Sequence, residues 1–176
     1  MKFFKKFILF IIALAALIAV LIINLKTGLR ALNVIGFSFK EMALVLPPLF
    51  ILLGLLDVWV PKEKMMRYMG EGSGIKGIIL AIIIGSVAAG PLYAAFPVAA
   101  ALMRKGVKFT NILIFIGAWS TTKIPMLLFE ISALGARFAM TRLAIDIFGI
   151  IIIAYVLYII VSKREVKALY YKAENL

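Results

Sequence analysis

The sequence predicts an all-α, polytopic integral membrane protein, and three observations carry that prediction. Of its 176 residues 65% are hydrophobic, with a mean hydropathy of +1.12, well above the range of soluble domains. Only 16% are charged, too few to cover a water-soluble surface. The apolar residues fall in runs long enough to span a bilayer, separated by short basic clusters. A single membrane domain over 1–176 is therefore expected. It has five transmembrane segments at 7–25, 42–60, 77–103, 109–129 and 139–161, an interfacial helix at 61–70 and a polar tail at 162–176.

Phe7 to Leu25 follows a basic start (Lys2, Lys5, Lys6) and contains one polar residue, Asn24. A signal peptide opens in the same way, but this apolar run continues past Ala13-Leu14-Ala15, so it reads as a retained first helix. Met42 to Val60 contains Pro47-Pro48 and ends on Trp59, an interfacial anchor. Pro61 then opens a ten-residue amphipathic piece that stops at Gly70, too short to span and suited to the interface.

Gly77 to Met103 carries a small-residue row, Ala81, Gly85 and Ala89, which lets a neighbouring backbone approach closely. Gly90-Pro91 interrupts it and Pro97 follows. Each proline leaves a carbonyl four residues back without its helical donor: Val87 for Pro91, Tyr93 for Pro97. In hydrocarbon such groups must be buried in protein or line a polar cavity. A kinked packing helix and a discontinuous helix at a transport site both satisfy this. Phe109 to Phe129 is broken in turn at Ser120-Thr121-Thr122-Lys123-Ile124-Pro125, where Pro125 frees the carbonyl of Thr121. Ala139 to Val161 is clean apart from Arg142 and Asp146.

Composition excludes several classes. Cysteine and histidine are absent, which removes disulfides, thiolate nucleophiles, the usual soft metal ligands and an imidazole base. No cofactor and no metal site are expected. The balance of 20 basic against 8 acidic residues gives +12. The basic residues sit between apolar runs, as loops touching anionic lipid do, and no aromatic-interleaved basic face suggests nucleic acid.

The stretch from Trp59 to Val161 resembles the predicted bacterial permease family that includes the organoarsenical efflux permeases. The resemblance rests on the interfacial segment ending in Gly70, the Gly85 helix and the Gly90-Pro91-Leu92-Tyr93 break. It continues through the Pro97-to-Leu102 stretch, the Arg104-Lys105-Gly106 turn and the proline-broken fourth helix. It implies a permease of the bacterial inner membrane. Members commonly carry two such repeats, whereas this chain carries one and looks like half of an inverted-repeat permease. Some members have a cysteine cluster at the break, where this chain has Pro91-Leu92-Tyr93-Ala94, so thiolate capture of arsenic does not carry over. One repeat points to a homodimer, because a pathway at a repeat interface needs both halves.

Orientation depends on whether 77–103 crosses. If all five segments cross, nine basic residues (Lys2, Lys5, Lys6, Lys62, Lys64, Arg67, Lys76, Arg137, Arg142) face ten on the other side, and an antiparallel, dual-topology dimer follows. If 77–103 is re-entrant, the count is fourteen against five and both ends are cytoplasmic. Five crossings is the arrangement favoured here, since 27 residues can span with tilt.

The leading functional reading is a permease for a small polar or anionic solute. Its candidate binding or gating residues are Gly90, Pro91, Tyr93, Pro97, Ser120, Thr121, Thr122, Lys123, Pro125 and Asp146. Lys123 and Asp146 each lie about 6 Å from a segment midpoint, on the same side. They are expected to pair, with Arg142 as a competitor. The alternative is a non-transporting structural or lipid-binding subunit whose prolines only shape packing. An intramembrane enzyme would need a Ser120–Lys123 pair and lacks an accompanying oxyanion hole or leaving-group acid, so no catalytic residue is assigned.

Overall fold

The computed structural model describes residues 2–87 and 90–175, with side chains for all of these except 2–6, 49, 52, 53, 56 and 57. Among the described residues every regular element is a helix. The chain divides into two units, 1–48 and 49–176.

The first unit holds α1 (Lys2–Ile23) and most of α2 (Leu25–Trp59). Asn24 separates them and caps α2, its Oδ1 accepting the Thr27 N–H at 3.1 Å. α2 is far longer than the expected 42–60. Residues 26–41 contain no proline and only two separated glycines, each costing a helix interior about 1 kcal/mol, so nothing stops the helix there. Pro47 and Pro48 lie inside it.

The second unit begins with α3 (Lys62–Met69), which buries Met65 and Met69 and meets α4 (Gly74–Val87) at a bend of 111°. A 3-10 turn, Leu92–Ala94, leads into α5 (Ala95–Arg104). Then come α6 (Phe109–Thr121), α7 (Ile124–Leu134), α8 (Ala136–Ile160) and α9 (Lys163–Glu174). Among the described residues two stretches are long and apolar enough to cross a membrane. They are α6 with α7 (Phe109–Leu134) and α8; the bent α3–α4 pair makes a third if counted as one span.

The packing of α4 on α6 organises this unit. Gly77, Ala81 and Gly85 form a buried stripe on α4, and the third expected small residue, Ala89, lies outside the described residues. A Cβ on Gly85 would sit 2.6 Å from the Phe115 carbonyl oxygen and 2.8 Å from the Ala118 Cβ. The two backbones are therefore in direct contact, which only glycine permits. Asn111, itself buried, donates to the Met69 carbonyl at 2.8 Å and to Ser73 Oγ at 3.1 Å. Gly77 also faces Asn111, while Gly85 faces Phe115 and Ala118, so α4 and α6 run in the same direction.

That parallel pairing means that 77–103 is not one straight helix. Lys108, beyond the segment, donates its N–H to the carbonyl of Met69, before it, at 2.9 Å. Both ends of the segment thus lie at one end of the unit. α4, with 14 residues, rises about 21 Å, and α5 returns alongside α6. The same end receives α9, whose Tyr170 hydroxyl donates to the Val107 carbonyl. The segment therefore doubles back within the unit: hydropathy cannot distinguish one long helix from two short ones, whereas direction of packing does.

Most of the expected polar tail is the helix α9. Ser162 Oγ accepts the Glu165 N–H at 3.3 Å and the Glu165 carboxylate accepts the Ser162 N–H at 3.0 Å, a reciprocal capping box. The Ser162 hydroxyl also donates to the Glu165 carboxylate at 2.7 Å, and this bond, with that from the Ser162 N–H, holds the Glu165 carboxyl below its usual pKa. The spacing Ser162-x-x-Glu165 announces this cap in the sequence.

The doubling back of 77–103 gathers Lys62, Lys64, Arg67 and Lys76, then Arg104, Lys105 and Lys108, then Lys163, Arg164, Lys167 and Lys172 at one end of the second unit. Arg137 is left at the other. The positive-inside rule then predicts a cytoplasmic basic end, in place of the dual topology expected from nine basic residues against ten. A C-terminal reporter should therefore signal from the cytoplasmic side alone; equal signal from both sides would contradict this. Gly85→Leu should lower unfolding stability in detergent by roughly 3 kcal/mol or prevent folding, since backbone must move to admit it.

Candidate functional site

The site forms where the interruption after α4 meets the gap between α6 and α7. α6 ends at Thr121 and α7 starts at Ile124 with Pro125 in its first turn. Taken as one span of 26 residues, Phe109–Leu134 has its midpoint between Thr121 and Thr122, so the gap is at mid-depth. Pro125 brings no N–H, and the Thr121 carbonyl is left to find a donor elsewhere. Opposite it, Gly90 has φ 115°, a conformation open to glycine and costly for other residues.

Three consecutive residues at this gap reach three different elements. The Thr121 carbonyl accepts Arg142 Nη1 of α8 at 3.1 Å. Thr122 Oγ1 shares a 2.6 Å hydrogen bond with Ser86 Oγ, at the last turn of α4. Lys123 Nζ donates to the Gly90 carbonyl, which also accepts Trp119 Nε1 at 3.3 Å. Thr122 and Trp119 are buried. A cationic and an indole donor thus converge on one carbonyl of the interrupted 77–103 segment.

The neighbouring charges form a triad. Arg142 Nε donates to Glu130 Oε2 at 2.7 Å, and its Nη1 donates to Asp146 Oδ2 at 2.6 Å. Glu130 is 6% exposed. This corrects the expected Lys123–Asp146 pair, which is not among the described ion pairs. Arg142 wins because it lies one turn from Asp146 on the same helix and its planar fork can serve two carboxylates and a carbonyl at once. Lys123, a point donor, goes to the carbonyl instead. The Nη2 of Arg142 is buried and has no protein partner among the described residues, leaving one donor of the guanidinium open to an acceptor.

A family model described as "Predicted permease" (ArsP_1) matches residues 27–175. The chain belongs to this permease family. Neither the curated proteins nor the solved structures contain a match. Membership makes the protein a membrane transport protein in broad class rather than an enzyme, consistent with its apolar spans.

In this permease the sequence-derived residues separate into two groups. Gly90, Thr121, Thr122, Lys123 and Asp146 take part in the mid-depth network, and Pro125 shapes its gap. Ser120 is exposed and donates to the Gly117 carbonyl at 2.8 Å, so it does not form a dyad with Lys123. Pro97 falls in the first turn of α5, where its missing N–H is no loss; it starts a helix rather than breaking one. Pro91 precedes the 3-10 turn and Tyr93, within it, is 38% exposed. Sequence reading passed over Ser86, Trp119 and Glu130. Glu130 falls just outside the expected segment 109–129, although a carboxylate twelve residues before an arginine, on a helix joined by a short turn, can pair across that turn.

Among the described residues no three His, Cys, Asp or Glu side chains come together, so the site offers hydroxyl, ammonium, guanidinium and carboxylate groups. Arg142→Met should destabilise the protein by about 3–5 kcal/mol, because two carboxylates and a carbonyl lose their donor. Adding Glu130→Gln and Asp146→Asn should restore most of that loss in thermal unfolding. No recovery would contradict the triad.

Proposed function

We propose that the protein is an inner-membrane permease that moves a small polar or anionic solute past the facing helix interruptions at mid-depth. The observation that carries this reading is the convergence of Lys123 and Trp119 on the Gly90 carbonyl, at the turning point of the doubled-back segment. A lysine near mid-membrane costs roughly 3 kcal/mol to insert, and a simple packing helix has no use for one. Backbone that leaves helical geometry at this depth is the feature from which transporters build solute sites. The open Arg142 Nη2 supplies a donor for a solute oxygen. Lys123 can exchange its carbonyl partner for an anionic group, while Glu130 and Asp146 hold Arg142 in place.

The described chain contributes one such wall, and we propose that a second copy completes the pathway. The basic end fixes both copies in the same orientation, so the dimer is parallel rather than antiparallel.

Proteoliposomes offered a panel of small oxyanions, carboxylic acids and zwitterions should show saturable flux of at least one. Lys123→Met should reduce that flux at least tenfold while the protein still inserts and runs as a single species. Absence of flux and of thermal stabilisation across the panel would instead favour the non-transporting structural or lipid-binding subunit. Full flux in Lys123→Met would remove this lysine from the pathway.

A further inference from the structure

A cavity of about 520 Å³ lies at the basic end, away from the mid-depth network, between the start of α6, the end of α8 and α9. Its position is set by the spans. Phe109 opens α6, Ile159 and Val161 flank the close of α8, and all three line the cavity. The cavity therefore sits where both spans leave hydrocarbon, at headgroup depth.

Its lining is mixed. Phe109, Ile159, Val161 and Val166 are apolar, whereas Lys108, Lys163 and Lys167 are basic. Glu71 is the one acidic residue in the lining, and its carboxylate lies 3.4 Å from Lys108 Nζ. The surplus is two positive charges. Lys108 also stands over the Tyr158 ring, 5.7 Å from its centroid, which holds it at the rim. No ion-pair partner for Lys163 or Lys167 is present among the described residues.

The walls are built, not incidental. Tyr170 is tied to the Val107 carbonyl and anchors α9 against the turn before α6. Burial, with the Glu71 charge adding to it, pushes its phenol up to about 12, so it stays neutral at working pH. The Ser162 capping box fixes the turn from which Lys163 and Lys167 project, one helical turn apart. α6 begins at the cavity without a side-chain cap, adding its positive end.

We propose that this cavity binds the phosphate headgroup of an anionic phospholipid of the cytoplasmic leaflet. A phosphodiester carries one negative charge, within the lysine surplus of two, and an attached glycerol and acyl chain that the apolar lining residues can take. Inorganic phosphate shares the charge but has nothing to place against Phe109 and Ile159. The leaflet follows from the basic end, where anionic lipid is concentrated.

The test uses the full-length protein, delipidated in a neutral detergent and titrated with dioleoyl phosphatidylglycerol, dioleoyl phosphatidylcholine or inorganic phosphate. Bound lipid is counted by native mass spectrometry. One phosphatidylglycerol per chain should be retained in preference to phosphatidylcholine. Lys163→Gln with Lys167→Gln should weaken it roughly 20-fold, and arginine at both positions should restore it. Arg164→Gln with Lys172→Gln removes the same charge from the same helix outside the cavity lining and should change affinity less than about threefold. Equal loss in the two double variants would mean diffuse surface attraction and overturn the site. Equal retention of phosphatidylcholine, or full displacement of phosphatidylglycerol by inorganic phosphate, would overturn the lipid as its occupant.

Discussion

In hydrocarbon every backbone carbonyl needs a donor, and the gap between α6 and α7 is where this chain cannot supply one locally. Pro125 removes the N–H that would serve Thr121, and the consequence spreads through the second unit. Arg142 of α8 takes the Thr121 carbonyl, Ser86 of α4 meets Thr122, and Lys123 reaches the Gly90 carbonyl beyond α4. One missing hydrogen bond thus selects the neighbours of three successive residues. The gap is at once a break in a helix and the point where three other elements are fastened.

Those fastenings work only because α4 lies backbone to backbone against α6. The stripe Gly77, Ala81, Gly85 removes the side chains that would keep them apart, and Asn111 ties the base of the pair to Met69. Because the two helices run in parallel, the chain between them must double back, which carries α5 and the turn before α6 to the starting end. The doubling back, the turn at Gly90 and the crowding of basic residues at one end are consequences of the same contact. Nothing in the membrane itself would have imposed them.

The charges at mid-depth are arranged so that none stands alone. A part-buried guanidinium beside two carboxylates offsets much of its desolvation cost by Coulomb attraction, and its remaining nitrogen has no partner among the described residues. Such a triad is costly to disrupt by one substitution and cheap to neutralise as a whole, which makes it a rigid support next to the more exchangeable contact of Lys123. The interruptions at Gly90 and Thr122–Lys123 are the places where the fold can bend with little loss of helical hydrogen bonding.

The sequence by itself determined the class of the molecule and the interruptions at Gly90-Pro91 and before Pro125. Composition, glycine φ requirements and proline chemistry are local properties, and Gly90, Thr121 and Pro125 are legible from them. The capping box at Ser162 was legible too, since its spacing is its mechanism. The direction of the 77–103 segment was decided only by tertiary structure, because a run of 27 apolar residues satisfies the bilayer equally as one span or as two half-depth helices. Depth likewise placed Lys123 and Asp146 at the same level, but the partner of a carboxylate depends on reach and geometry as well as level. Arg142, one turn away and able to donate in several directions at once, was the nearer solution, and it drew Glu130 into the site with it.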